Sequence, residues 1–392
     1  MRIKTKADDF YVEEVLHFAP AKKEMPFRLY LLEKEGWNTS DAIREAAVRK
    51  KVPLGEIRSL GKKDRHARTV QFLSVPEEYD LACEGEGYSV RSAGFSSKQL
   101  EPAVLKGNRF SLVLRDMEIR EAERTEKRLE GITRRGFANY FDDQRFGNVG
   151  SKGEFFGEML VKRRFDPALR KYFSFCHPEA PVYLKKRKAL LAEKWGQWGE
   201  MEPLCTEPRL KKMLSILKKR GRDGVLACFR LIPPEEMGMY FSAYSSFLWN
   251  ETLSRFLQGE DGELFSVELR TGQVFQYTDL PEGLLERLSG EPLPTVGPDM
   301  PPLPPDMDGV FSRLLAERGV RLSKFRLKEI SQAYFASFPR QCAVLPEDME
   351  WKREEDDLFP GKVALRLRFF LPRGSYATML LKSAGRVQDP RT

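Results

Sequence analysis

The hydrophobic period changes twice along this chain of 392 residues, and that change constrains its fold more than any other feature. Arg109 to Arg115 alternates Phe110, Leu112 and Leu114 against Ser111, Val113 and Arg115, which reads as a strand with one buried face. Val363 to Leu371 does the same with Val363, Leu365, Leu367 and Phe369 set against basic and small residues. Near the start, Phe10 to Leu16 and Phe27 to Leu32 are two more β-like runs, separated by a turn-prone stretch with Pro20 and Pro26. Between these ends, from about 151 to 341, the texture is helical, as in Ala189 to Trp195, Leu210 to Lys219 and Tyr244 to Leu257. Strand-rich ends around a helical middle predict an α+β domain with a mixed or antiparallel sheet, built from 1–150 and 342–392. A mainly helical α+β domain, 151–341, interrupts it. The length agrees, since a single core seldom grows past about 250–300 residues.

Local signals refine this division. Asn38-Thr39-Ser40 offers capping groups for a helix over Asp41 to Lys51, whose Ala42, Ile43, Ala46 and Ala47 fall on one face. Val70 to Val75 is β-branched and aromatic and reads as a strand. A charged helix is expected from about Glu118 to Leu129, ended by Gly131. The stretch Gly136 to Gly147 is too aromatic and too glycine-bounded for an ordinary helix and reads as a functional loop or a packed corner. Pro292 to Pro305 holds seven prolines in fourteen residues and is expected to be a stiff, exposed loop or linker.

Charge points to the class of partner. The 66 basic residues outnumber the 58 acidic ones, for a formal net charge of +8, which favours a polyanion. The cations also cluster, as in Arg49-Lys50-Lys51, Lys62-Lys63, Lys162-Arg163-Arg164, Lys185-Lys186-Arg187-Lys188 and Lys218-Lys219-Arg220, a better sign of nucleic acid than the net excess. Five scattered cysteines without a C-x-x-C pair argue against a disulfide framework and against structural zinc. Three histidines, none at helical ligand spacing from another, add no metal site. No apolar run approaches the ~18 residues of a membrane span, so a cytoplasmic protein without membrane attachment is expected. Neither a phosphate-cradling Gly-rich loop nor a dinucleotide fingerprint is present, nor is a serine-nucleophile elbow or a zinc-protease helix.

The segment Gly61 to Gln71 places one carboxylate, Asp64, among Lys62, Lys63, Arg65 and His66. Nearby cations favour the ionised form, so Asp64 is poised as a nucleophile or as an ion-pair anchor. The same cations could hold a phosphate backbone, and a loop leading into a strand is a common seat for catalytic groups. A solvated charged turn is the plainer reading of the segment taken alone.

This segment is one of six blocks spread along the chain. They are Asp9-Phe10-x-Val12-Glu13-Glu14, Asn38-Thr39, Gly61-x-Lys63-Asp64-Arg65-x-Ala67-x-Thr69-x-Gln71 and Lys106-Gly107-Asn108-Arg109-Phe110. Further on come Asn139-Tyr140-Phe141-x-x-Gln144-Arg145-Phe146-Gly147 and Leu371-Pro372-x-Gly374-Ser375-Tyr376-Ala377-Thr378. Six blocks in this order over essentially the whole chain resemble the TruD family of tRNA pseudouridine synthases. The middle region resembles the family's inserted TRUD domain less distinctly. Leu60 departs from the family, where Ala is common before the glycine, and the tail after Ala384 is short and polar.

The resemblance implies a pseudouridine-synthase catalytic domain, and an isomerase that converts a uridine of tRNA, typically uridine-13, to pseudouridine. It makes Asp64 the nucleophile and Lys4 its ion-pair partner, with Phe10, Asn108, Phe110 and Tyr376 around the substrate. Lys62, Lys63, Arg65, Lys185 and Lys186 are candidates for the RNA backbone. The reaction breaks an N-glycosidic bond, turns the uracil and rejoins it through C5 with no redox change, so neither a cofactor nor a metal is implied. A monomer acting on tRNA is expected. A flipped uracil needs a flat apolar face and polar groups at its edge, which Phe110 and Asn108 can supply. From the residues alone, Phe110 could equally be core and Asn108 a turn residue. Two other classes fit parts of the sequence: a non-catalytic RNA-binding protein with Asp64 as an anchor for Arg65 or Lys63, and a two-metal nuclease using Asp8, Asp9, Asp142 and Asp143.

Overall fold

The structure, a computed structural model, describes residues 1–150, 153–177 and 180–388. The chain forms two compact units, Met1–Asn139 with Ala343–Thr392 and Tyr140–Cys342. In the first unit the strands are β1 (Phe10–Leu16), β2 (Phe27–Lys34), β3 (Arg58–Ser59), β4 (Arg68–Pro76), β5 (Cys83–Gly85), β6 (Tyr88–Ser96), β7 (Leu105–Met117) and β8 (Phe137–Ala138). The second unit contributes β9 (Glu263–Leu269), β10 (Gly272–Asp279), β11 (Leu293–Pro294) and β12 (Pro339–Arg340). The first unit then resumes with β13 (Ala343–Val344), β14 (Glu347–Glu355) and β15 (Val363–Pro372).

The main sheet runs β14-β15-β7-β1-β4-β2-β6-β5, with β3 paired to β4. It is mixed because β1 and β4 are parallel while its other pairs are antiparallel. A helix over Thr39–Lys50 covers one face at β2, β4 and β6, and its buried residues include the expected Ala42, Ile43, Ala46 and Ala47. Leu16, Leu29, Leu60, Leu100 and Leu105 form a second cluster. Tyr30 belongs to the first cluster and its strand neighbour Leu29 to the second, as period-2 alternation requires of a sheet buried on both sides. The helix Ile119–Arg135 packs on β14 and β15, and the helix Ala377–Ala384 packs on it. Strand β7 is therefore buried on both faces at its centre, with Val113 as enclosed as Leu112 and Leu114, where the alternation alone predicted one buried face.

Two expectations about helix ends are corrected. The charged helix passes Gly131 because its buried stripe, Ala122, Thr125, Leu129 and Ile132, continues beyond that glycine. It stops at Gly136, whose φ of +71° suits glycine and whose Cβ, if present, would lie 2.5 Å from the Val344 carbonyl oxygen. At Thr39–Lys50 the residue preceding the helix is Asn38, yet no side chain caps the helix. The Thr39 hydroxyl is used elsewhere.

The second unit is built around the helix Pro234–Gln258, buried along most of its length, with the β9–β10 and β11–β12 ladders beside other helices. The proline-rich stretch is exposed only in part: Pro292, Pro301, Pro302 and Pro305 are exposed, whereas Leu293 to Gly297 are buried. Beyond the short β11–β12 ladder, side chains satisfy its backbone: Trp249 Nε1 donates to the Leu293 carbonyl (3.2 Å), Ser245 Oγ to that of Val296 (2.6 Å) and Ser337 Oγ to that of Thr295 (2.6 Å). Gly136 to Gly147 contains the predicted packed corner. Tyr140 Oη donates to the Phe275 carbonyl (2.7 Å), and Asn250 accepts from Phe141 N–H (2.9 Å) and donates back to its carbonyl (2.8 Å). These bonds tie residues after Asn139 into the second unit.

Candidate active site

Asp64 lies in the loop between β3 and β4, and contacts from three parts of the first unit hold it there. Lys4 Nζ donates to Oδ2 at 2.6 Å, the His66 backbone N–H donates to Oδ1 at 2.9 Å, and Lys34 Nζ donates to the Asp64 main-chain carbonyl at 2.9 Å. Lys4 and Lys34 are almost fully enclosed, at 4% and 1% exposure. Burial raises the Asp64 carboxyl, but the charge and hydrogen bond of Lys4, with the His66 N–H, outweigh it and hold the group below the usual carboxylate range. Burial pulls the Lys34 ammonium down to about 8, against the attraction of Asp64 and with the repulsion of Lys63.

The rest of the loop is tied down with equal care. Thr39 Oγ1 accepts from the Lys63 N–H (3.0 Å) and donates to Gln71 Oε1 (2.9 Å), and Gln71 Nε2 donates to the Gly61 carbonyl (3.2 Å). Arg65 Nε donates to the Gly36 carbonyl (2.8 Å), and Gly36 N–H donates back to that of Arg65 (3.1 Å). The Lys63 ammonium turns inward, 2.7 Å from Glu14 Oε1 and 2.9 Å from Asn108 Oδ1. Burial raises the Glu14 carboxyl above its ordinary value against the opposing Lys63. The other Glu14 oxygen accepts from the Phe72 N–H at 2.8 Å, so this buried acid bridges loop and strand.

The sheet register and ring contacts bring Phe10, Asn108 and Phe110 together beside this loop. Glu14 of β1 and Leu371 of β15 both pair with Asn108 of β7, while Val12 and Phe369 pair with Phe110. The Lys4 ammonium sits 5.0 Å from the Phe10 ring centroid. The Phe10 edge meets Phe110 at 6.4 Å, and Phe110 stacks on Phe369 at 5.3 Å. Phe110 is therefore wedged into the core on one face, at 7% exposure. Tyr376, half-buried, stands at the N-terminus of the helix Ala377–Ala384, four residues beyond Pro372, which pairs with Gly107. Lys62 and Arg65 are exposed on the loop, and Lys185 and Lys186 are exposed on the helix Val182–Glu193 of the second unit.

A buried ion network supports the segment that carries Lys4 and Phe10. Arg115 Nε donates to both Asp9 oxygens (3.0 and 2.9 Å) and Nη2 donates to Asp9 Oδ1 (2.8 Å), while Nη1 reaches Asp356 Oδ1 at 2.9 Å. Asp9 also accepts from the Lys6 N–H at 2.8 Å, closing the turn that precedes β1.

Lys34, Glu14 and Arg115 were not singled out from the sequence, although a signal existed for two of them. Glu14 continues the inward parity of Phe10, Val12 and Leu16, and Lys34 that of Tyr30 and Leu32. A charge on a buried parity is a marker of a built polar site. Among the described residues, no group of three or more His, Cys, Asp or Glu side chains is arranged to hold a metal ion, and no helix is long and apolar enough to cross a membrane.

Comparison with known proteins identifies the family of the chain. The family model for tRNA pseudouridine synthase D (TruD) matches residues 1–384. The tRNA pseudouridine synthase D of Leptospira interrogans serovar copenhageni is 30% identical, over 97% of this chain and 95% of that protein. The one from Aquifex aeolicus is 27% identical, over 97% of both chains. A crystal structure of the putative tRNA pseudouridine synthase D from Methanosarcina mazei shares the fold, with a TM-score of 0.73 at 24% identity over 97% of this chain and 92% of that one. The chain belongs to the TruD family of tRNA pseudouridine synthases.

Proposed function

We propose that this protein isomerises a uridine of tRNA, uridine-13 by family resemblance, to pseudouridine, with Asp64 as the nucleophile acting on a base turned out of its stack. The observation that carries the reading is the Lys4–Asp64 ion pair, in which a mostly enclosed carboxylate is kept charged by an ammonium that also lies over the Phe10 ring. The N1–C1′ bond breaks, a C5–C1′ bond forms, the C5 proton is lost and N1 gains one, so atoms balance with no redox partner. A carboxylate nucleophile divides this exchange into easier steps through a covalent adduct. Attack at ribose C1′ or at uracil C6 makes the same demand on Asp64, which is to be ionised and aimed. Asn108 and Phe110, with Phe10 and Tyr376, are the groups assigned to the extruded base. Lys62 and Arg65 on the loop, with Lys185 and Lys186, are assigned to the phosphate backbone, which they meet by shape and charge. Lys63, named with them from the sequence, is engaged instead by Glu14 and Asn108, and its part is to brace the loop.

The nuclease reading loses support from the same geometry, because Asp9 is occupied by Arg115 and Asp8 is paired with Arg68. The test is tritium release from tRNA carrying tritium at uracil C5. Wild-type protein releases it, whereas Asp64→Asn binds tRNA with nearly unchanged affinity and releases none. Residual turnover above roughly a tenth of wild type would remove Asp64 from the role, given the barrier a covalent catalyst supplies. Binding with no turnover by the wild type would favour the non-catalytic RNA-binding reading.

A further inference from the structure

We propose that Lys34 is a positioning residue for Asp64, holding the main chain of the nucleophile's loop and lending it positive charge while leaving the carboxylate oxygens to other donors. The proposal rests on the reading of Asp64 as nucleophile. Three acceptors of Asp64 are each met by a different donor: Oδ2 by Lys4, Oδ1 by the His66 N–H and the main-chain oxygen by Lys34. Lys34 is the last residue of β2, and its backbone pairs with Thr69 of β4 on one side and Tyr88 of β6 on the other. Its stem thus starts from the interior of the sheet, and only its tip reaches the loop. An ammonium anchored in this way fixes the peptide on which the nucleophile is mounted.

A main-chain carbonyl can be satisfied by any neutral donor, so a buried cation in this place asks for an explanation. Enclosing a charge costs stability unless the charge is used. The charged groups around Lys34 are Asp64 and Lys63 on the loop, which respectively favour and oppose its charge. Its strand neighbour Glu33 is engaged by Arg68 and Arg91. With its ammonium pulled down to about 8 by burial, Lys34 is charged at neutral pH at a cost to the fold. That cost is present below the folded value and fades as pH rises from there toward the ordinary lysine range. What is obtained in return is a second positive charge near Asp64 that does not cover either carboxylate oxygen. Lys4 has already taken one of them, and a second direct pair would blunt the nucleophile further.

The experiment compares wild type, Lys34→Met, Lys34→Gln and Asp64→Asn for single-turnover tritium release, tRNA affinity and thermal midpoint. For Lys34→Met the expected result is a single-turnover rate lowered roughly 10- to 100-fold, as small misplacements of a reacting group produce. Its tRNA Kd stays within about threefold of wild type, and its midpoint at pH 7 is equal or higher. The acid limb of its rate moves up in pH, because the carboxylate has lost a supporting charge. Lys34→Gln, which keeps a neutral donor, repeats the rate loss if the charge matters. A Lys34→Met rate within twofold of wild type, with Asp64→Asn inactive, overturns the inference and leaves the function standing. Loss of folding in both Lys34 variants also overturns it, since Lys34 would then be a structural strut. An inactive wild type, or an active Asp64→Asn, sinks the underlying reading instead.

Discussion

Lys4 reaches Asp64 from a left-handed backbone turn: its φ is +55°, and its ammonium donates to Oδ2 across 2.6 Å. A non-glycine residue in this region costs on the order of 1 kcal/mol, and it persists only where the surroundings over-determine it. Here the determinants are hydrogen bonds to distant parts of the chain. Ile3 N–H donates to the Gln388 carbonyl (3.1 Å), and Arg2 exchanges hydrogen bonds with Arg115 (2.8 and 2.9 Å). The chain just before Lys4 is thus pinned to β7, and the turn throws the lysine inward. Lys4→Met is expected to lower the single-turnover rate about 100-fold by misplacing the carboxylate and changing its charge state. It should cost roughly 1–2 kcal/mol of stability in urea unfolding, less than a fully buried pair, because the Asp64 side chain keeps 23% of its exposure. A rate within a few-fold of wild type would separate Lys4 from the chemistry.

The same pair sets a pH dependence. A carboxyl held below its usual range stays ionised under mildly acidic conditions, so the wild-type rate should show no acid limb above the ordinary aspartate value of ~3.9. Its contribution to stability is present above that unfolded value and is lost as pH falls through the lower folded one. In Lys4→Met the raising effect of burial is opposed by the His66 N–H but no longer by Lys4, and the acid limb should appear at higher pH than in the wild type. Single-turnover rates from about pH 4.5 to 8 would show it, and coincident profiles would contradict the electrostatic role of Lys4.

Arg115 is the support behind this turn. Its side chain is 6% exposed, and it neutralises Asp9 and Asp356, which are at 3% and 0%. Arg115→Met leaves two enclosed carboxylates without their cation, and the expected loss is about 3–5 kcal/mol by urea unfolding at pH 7. The loss should shrink as pH falls, because Asp356, whose carboxyl is held low by backbone donors and Arg115 against the raising effect of burial, can then protonate. Arg115→Lys restores charge but not the forked bonds to Asp9, so it should recover only part of the stability. Equal stability of all three proteins would contradict the network's role.

Much of this architecture is legible in the chain because its signals are local. Phe10 to Leu16, Arg109 to Arg115 and Val363 to Leu371 are strands by alternation, and they adjoin one another in the sheet. The helix over Thr39–Lys50 is equally plain from its alanine stripe. What alternation does not carry is partner choice. Thr39 looks like a capping residue, yet its hydroxyl bridges the Lys63 N–H and Gln71, because a threonine at a helix start is also well placed to reach a neighbouring loop. Asp64 stands out by its charged neighbours, whereas Lys34 is marked only by its buried parity, and its partner is not marked at all, since the carbonyl it serves is thirty residues away and carries no sequence signature. The proline-rich stretch misleads for a similar reason. Composition reports that proline cannot donate to a ladder, but not that Leu293 and Pro294 pair with β12 or that Trp249 and Ser245 supply donors to the backbone around them.

Gly107 tests whether strand packing and the site are one unit. A Cβ at this position would lie 2.2 Å from the Leu371 carbonyl oxygen and 2.5 Å from the Phe370 ring, so β15 approaches β7 here closer than any side chain allows. Leu371 pairs with Asn108, and Pro372 pairs with Gly107, so a displacement at Gly107 is passed to Asn108 and to the segment leading to Tyr376. Gly107→Ala is expected to cost about 1–3 kcal/mol, as overpacking of a well-filled site does. It should also lower the single-turnover rate by more than the unfolded fraction explains, since the residue assigned to the edge of the uracil moves with the strand. Gly131→Ala is the matched control: it lies within a helix, nothing stands within 4 Å of its added Cβ, and helix propensity favours alanine by about 1 kcal/mol. Stability should rise there with the rate unchanged. If Gly107→Ala lost stability but kept the wild-type rate in its folded fraction, the strand register would be shown to tolerate shifts that the chemistry does not feel.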